Sequence, residues 1–166
     1  MNKHSLVAPA SLLLLAVLAA APASQAREHL SQSGLFPSPA NRIVGVWNSD
    51  VTLRPCGPGP VIASFKALAT FHAGGTLSDA NNTPSALRTA GHGIWRYVQG
   101  NQYKTRFQIF RFLPTGAYDG YADVDTIVQL SGDTSRTTVV ATNFNPDGTE
   151  RGTLCGTATA TRLSID

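Results

Sequence analysis

Charge is scarce in this chain, cysteine scarcer still, and a helical period is missing altogether. Charged side chains make up 14% of the 166 residues, 13 basic against 10 acidic. The arginines stand singly from Arg54 to Arg162 rather than in a run. The pI of about 9.1 therefore marks no nucleic-acid footprint. Cys56 and Cys155 are the two cysteines, too few and too far apart for a C-x-x-C redox motif or a thiolate metal cluster. Of the histidines, His4 and His29 precede the patterned region, and simple strand alternation puts His72 and His92 at opposite ends of a barrel. No metal site is expected from them. A G-x-S-x-G elbow is absent, which removes the commonest nucleophilic hydrolase. No catalytic residue and no cofactor is expected.

The first 26 residues read as an export signal. Lys3 gives a weakly basic start, Leu12–Ala21 is an apolar run, and Ala21-Pro-Ala23 and Ser24-Gln-Ala26 offer small-residue cleavage sites. The run is shorter than the roughly 20 residues a membrane helix needs, and no cysteine directly follows it to carry a lipid anchor. Cleavage after Ala26 or Ala23 sends the chain to the periplasm or the extracellular medium. In such a compartment two cysteines pair as one disulfide. Residues 27–42 are rich in Ser and Pro and lack a period, so they read as an extended arm, with Leu35-Phe36 as its anchor. The folded domain is expected over residues 43–166.

From there the chain alternates with period two, the mark of strands with one buried face. Trp47, Ser49, Val51 and Leu53 share one parity, as do Ala63, Phe65, Ala67, Ala69 and Phe71. Gly74-Gly75, Gln99-Gly-Asn101, Leu113-Pro-Thr-Gly116 and Asn145-Pro-Asp-Gly148 supply turns. Eight strands are counted, the fifth with a stumble. Lys104, Arg106 and Gln108 share parity with Phe110 and Phe112, which predicts either a bulge near Ile109 or aromatic rings on the outer wall. The pattern specifies an all-β, eight-stranded antiparallel up-and-down barrel, since closure removes exposed strand edges. A two-sheet sandwich is the alternative. At the barrel seam the first and last strands lie side by side, where Cys56 and Cys155 can staple them.

Gly45-Val46-Trp47 opening the first strand, with Arg162 ending the last, resembles the Gly-x-Trp and terminal arginine of the lipocalin-like (calycin-type) barrels. The resemblance implies that Arg162 packs over Trp47 and closes one end. The family's middle Thr-Asp-Tyr motif has no counterpart, and only four residues follow Arg162, too few for the lipocalin C-terminal helix. The chain is thus similar to the shortened form found in small exported bacterial proteins.

Small residues dominate the inner parity of strands six and eight, while Trp47, Phe65, Phe71, Trp95, Tyr97, Tyr103 and Phe107 supply bulk. Such a barrel is wide enough to be filled by side chains or to hold one small guest. The expected function is binding of a small apolar or aromatic molecule, with the mouth formed by the loops at 55–60, 80–90, 113–116 and 145–148. Trp95 and Tyr97 are the foremost expected contacts, beside the space left by Gly93, and Phe65, Phe71, Tyr103 and Phe107 join them. A loop-borne inhibitor of proteases or lysozymes and a cofactor-free isomerase or cyclase are the alternatives.

Overall fold

The structure, a computed structural model, describes residues 38–165. The expected export signal and the expected Leu35-Phe36 anchor lie outside those residues. Eight strands form one closed barrel in which each pairs with its sequence neighbour and β8 returns to β1. They are β1 (Gly45–Pro55), β2 (Ala63–Phe71), β3 (Thr76–Asn81), β4 (Gly91–Gln99), β5 (Gln102–Phe112), β6 (Tyr118–Ser131), β7 (Thr134–Phe144) and β8 (Glu150–Arg162). All eight pairings are antiparallel. No helix among the described residues is long and apolar enough to cross a membrane.

The alternation read from the sequence sets the two faces. Trp47, Val51, Ala67, Phe71, Ala122, Val124, Val128, Ala158 and Ala160 are buried, while Asp125 pairs with Arg106 at 2.7 Å and Asp123 accepts from Gln108 at 2.9 Å on the outer wall. Strand β5 does not slip at Ile109. Tyr103, Thr105, Phe107, Ile109 and Arg111 keep to the inner parity, and Phe110 stands 46% exposed among Lys104, Arg106 and Gln108. The irregularity comes two residues later. Phe110 pairs with Tyr121 but Phe112 with Tyr118, so Asp119 and Gly120 together face Arg111. This two-against-one arrangement is a β-bulge on β6, and it aims Asp119 at Arg111.

The seam is stapled as the cysteine positions foretold. Arg54 pairs with Cys155 in register, and Cys56, two residues on, bonds to Cys155 with Cα atoms 4.8 Å apart. A disulfide persists in an oxidising environment, consistent with export.

One end of the barrel is packed shut. Ile43, Trp47, Phe71, Leu77, Trp95, Tyr103, Val128, Leu130 and Ala160 form a single buried cluster there. The short turn Pro39–Asn41, a 3-10 helix where the sequence reads as an extended arm, lies against it. Ser38 begins the turn, its hydroxyl accepting from the Ala40 amide at 3.4 Å, and proline at the first position has no N–H to leave unsatisfied. The Tyr103 hydroxyl donates to the Pro39 carbonyl. Burial pushes that phenol above its ordinary range, so it stays protonated and remains a donor. The Trp47 indole donates to the Ile43 carbonyl at 2.8 Å, and the Arg162 guanidinium lies 4.4 Å from the Trp47 ring centre, a cation–π contact. Arg162 also donates to the Val44 and Arg42 carbonyls and, at 2.9 Å, to Asp133. Gly45 has φ of +133°, and a Cβ there would lie 2.6 Å from Arg162 Nη1. Only glycine lets the arginine reach over the tryptophan.

Candidate functional site: a half-hollow barrel

The opposite half of the interior is a cavity of about 310 Å³, within the lower range of small-molecule sites. Its walls are mostly small and apolar: Val51, Ala67, Ala69, Ala122, Val124, Val139, Ala141 and Ala158. Leu53, Phe65 and Leu154 rise towards the mouth, and Phe71, Leu77 and Phe107 separate the cavity from the packed end. Its open end lies among the loops expected to form a mouth. The longest of these, residues 82–90, is tied to the end of β5. Thr89 N–H donates to the Phe110 carbonyl at 3.0 Å, Phe112 N–H donates to the Leu87 carbonyl at 2.9 Å, and Arg88 bridges Arg111 in register. The loop thus continues the wall where β3 and β4 run short.

The expected aromatic contacts divide between the two halves. Phe65, Phe71 and Phe107 line the cavity. Trp95 points inward, as its parity required, but is not among the cavity-lining residues; it belongs to the packed end. Its indole donates to the His72 carbonyl at 3.0 Å, and its ring meets Phe71 and Tyr103 edge-on at 6.4 and 6.0 Å. Tyr97 packs on Tyr103 at 5.6 Å in the same cluster. The space foreseen beside Gly93 is taken. A Cβ on Gly93 would lie 2.1 Å from the Arg106 carbonyl and 2.5 Å from Phe107, so the glycine serves close strand approach and leaves no room for a guest.

The histidines also sit differently from the simple alternation. Because β3 is short and offset, Ser78 pairs with His92 across β3 and β4, and the Ser78 hydroxyl lies 3.3 Å from His72 Nε2. His72 and His92 therefore flank one serine on the outer wall rather than occupying opposite ends. No group of three potential metal ligands occurs among the described residues.

Asp79, Arg88, Arg111 and Asn143 line the cavity, and none of the four was expected there from the sequence. Asp79 Oδ1 and Arg88 Nη2 form an ion pair at 2.6 Å with side chains 10% and 9% exposed. Burial raises the Asp79 carboxyl above the usual carboxylate range against the pull of Arg88, so desolvation outweighs the attraction. Arg111 donates Nη1–H to Asn143 Oδ1 at 2.7 Å and Nη2–H to Asp119 Oδ2 at 2.9 Å. Asp119 in turn receives Arg151 at 2.9 and 3.0 Å. These hydrogen bonds, Arg151's first, hold the Asp119 carboxyl below its ordinary value. Arg111 Nε is buried and has no hydrogen-bond partner. Arg111 was legible by counting parity inward from Tyr103, which the aromatic pair at 110 and 112 obscured. Arg88, in an irregular loop, carried no periodic signal.

Fold and interior together define a closed, up-and-down eight-stranded barrel, half packed and half hollow, consistent with the lipocalin-like architecture. A scan against protein-family models finds no match to the chain, and a search of curated proteins finds none either.

Proposed function

We propose that the protein is an exported binding protein that takes a small, largely apolar molecule into the open half of its barrel, in the periplasm or the extracellular medium. The observation that carries this reading is the cavity of about 310 Å³ walled by alanine and valine. Small side chains on several strands withhold the volume that would fill a barrel of this width. A loop-borne inhibitor calls for a projecting apolar loop, whereas residues 82–90 are tied along β5. An isomerase or cyclase calls for an acid or base free to meet its guest, and Asp79 is committed to Arg88. Both contrasts favour the interior as the working surface and binding as the work.

Native mass spectrometry of the disulfide-bonded protein purified from its own host tests the reading. A mass above that of the bare chain, lost on denaturation, is the expected result. Calorimetric titration with 1-octanol should then show one site, and Ala141→Phe, which fills the cavity, should abolish it while leaving the melting temperature within a few degrees. A bare chain together with flat titrations of apolar molecules would overturn the proposal.

A further inference from the structure

The outer wall carries aromatic side chains that neither the core nor the cavity uses. Five of them stand together near the mouth: Phe110 and Phe112 on β5, Tyr118 and Tyr121 on β6, and Phe144 on β7. Phe110 and Tyr118 are exposed, as is Leu113 at the intervening turn, and the other three rings are partly so. Tyr118 meets Phe110 and Phe112 edge-on at 6.2 and 6.1 Å, and Tyr121 stacks on Phe144 at 4.6 Å. Single exposed rings are ordinary, but a contiguous apolar patch with a polar border marks an interaction surface. Aromatic residues are also enriched at the centre of protein interfaces.

Register points to the partner. Below the rings β5 carries Lys104 and Arg106 outward, while β6 carries Asp123 and Asp125. Across the two strands Phe112 pairs with Tyr118, Phe110 with Tyr121, Gln108 with Asp123 and Arg106 with Asp125. A two-fold axis laid along the line between β5 and β6 sets β5 of one copy over β6 of another. Each residue then meets, in the second copy, the residue it already faces within its own sheet. Phenylalanine meets tyrosine, Gln108 meets Asp123, and Arg106 meets Asp125. The exposed Arg106–Asp125 pair, 2.7 Å long, closes with its copy into a ring of four alternating charges. A two-fold contact demands a surface complementary to itself, and this one is so residue by residue. A lipid surface fits less well, because Asp147 and Glu150 stand exposed just after Phe144 and repel anionic headgroups. A standard interface takes about 800 Å² from each partner; the rings supply its centre and the charged rows its border. We propose that the protein pairs with a second copy of itself through the β5–β6 outer wall, with both barrel mouths opening to the same side.

Sedimentation equilibrium of the disulfide-bonded protein, run across the micromolar range at low salt, tests the pairing. A reversible equilibrium between monomer and dimer is expected. Phe110→Asp, on the outer wall and clear of the core, should raise the dissociation constant at least about tenfold. Arg106→Asp and Asp125→Arg should each weaken pairing to a similar degree, since each sets like charges against one another twice across the axis. An equimolar mixture of those two variants should return to within about threefold of the unmodified protein, because every charge contact across the axis is then opposite in sign. Damage within one copy is not repaired by mixing, so the recovery reads the contact between copies. A monomer at every concentration would overturn the proposal, and its retention by vesicles of phosphatidylethanolamine and phosphatidylglycerol would assign the patch to a membrane instead. A dimer indifferent to Phe110→Asp, or a mixture no tighter than its components, would overturn it as well.

Discussion

At the packed end of the barrel Trp47, Tyr103 and Ile43 are no more than 2% exposed, and aromatic rings meet edge to face in series. At the hollow end the same eight strands present alanine and valine around about 310 Å³ of space. The packed end gathers its stability from large apolar area and from Arg162, which ties the last strand to the segment before the first. The hollow end has less to bury, and it is there that the disulfide and both buried or half-buried arginine–aspartate pairs are found. One half holds the fold so that the other can stay empty. The division is testable because each half has its own fastening.

The largest effect is expected from the hollow end's staple. Cys56→Ala with Cys155→Ala opens a loop with a sequence separation of 99, worth about 4 to 5 kcal/mol in the chain-entropy account. Denaturant titration measures it, and thiol labelling of unreduced, denatured wild type should find no free thiol. At the packed end Trp47→Ala should cost about 3 to 5 kcal/mol, as loss of a large buried aromatic does. Arg162→Ala should destabilise too, and a double-mutant cycle of the two should return about 0.5 to 1 kcal/mol of coupling. Strict additivity would mean that the stacked geometry contributes nothing. A disulfide-free protein as stable as wild type would show that the packed end holds the whole barrel alone.

The Asp79–Arg88 pair comes next. Arg88→Met leaves a carboxylate in an apolar site and should cost about 3 kcal/mol at neutral pH. Asp79→Leu combined with Arg88→Met should recover most of that loss, because the pair is set against its own desolvation. The pH dependence follows from the raised Asp79 carboxyl. A carboxyl whose folded pKa exceeds its unfolded one contributes stability that is complete below the unfolded value and is lost as pH rises through the folded one. In Arg88→Met the raised value climbs further, so the deficit should shrink on acidification from pH 7 towards pH 5. Asp119, held low by Arg151 and Arg111, acts with the opposite sign: its contribution is present above its unfolded pKa and is lost as pH falls through the folded one. A deficit in Arg88→Met that grew with acidification would contradict the assignment to Asp79.

Much of this division was written in the chain, but unevenly. Period-two alternation sufficed for the strands and the closure, because a one-residue slip would turn every buried side chain outward. Gly45, Trp47 and Arg162 were legible only through the resemblance to lipocalin-like barrels, whose Gly-x-Trp and terminal arginine they match. The split of the interior was not, since parity states that Trp95 and Phe65 both face inward without stating at which height. Height depends on register and on the offset of short strands such as β3, and those are set by pairing across the whole barrel. The same limit misplaced His72 and His92. Arg111 followed the pattern, while Asp79 and Arg88 came together only because a nine-residue loop, 82–90, folds back along β5.

The smallest effect isolates the contrast best, for it uses one strand and one face. Ala158 and Ala160 lie two residues apart on β8, both inward and both buried; Ala158 lines the cavity, whereas Ala160 belongs to the packed cluster with Trp47 and Tyr103. Replacing either with valine adds the same volume and the same strand preference, so those contributions cancel in the comparison. At Ala160 the added methyls have no space, and overpacking should cost about 1 to 3 kcal/mol. At Ala158 they project towards empty volume and should change stability by less than about 0.5 kcal/mol, with slight stabilisation from the added apolar contact. Denaturant midpoints at unchanged slope measure both. The guest should report the reverse order, because Ala158→Val narrows the cavity and should weaken 1-octanol binding, while Ala160→Val should leave it unaltered. Equal stability losses at the two positions would mean that the cavity collapses around its walls in solution, and the contrast between the halves would then fail.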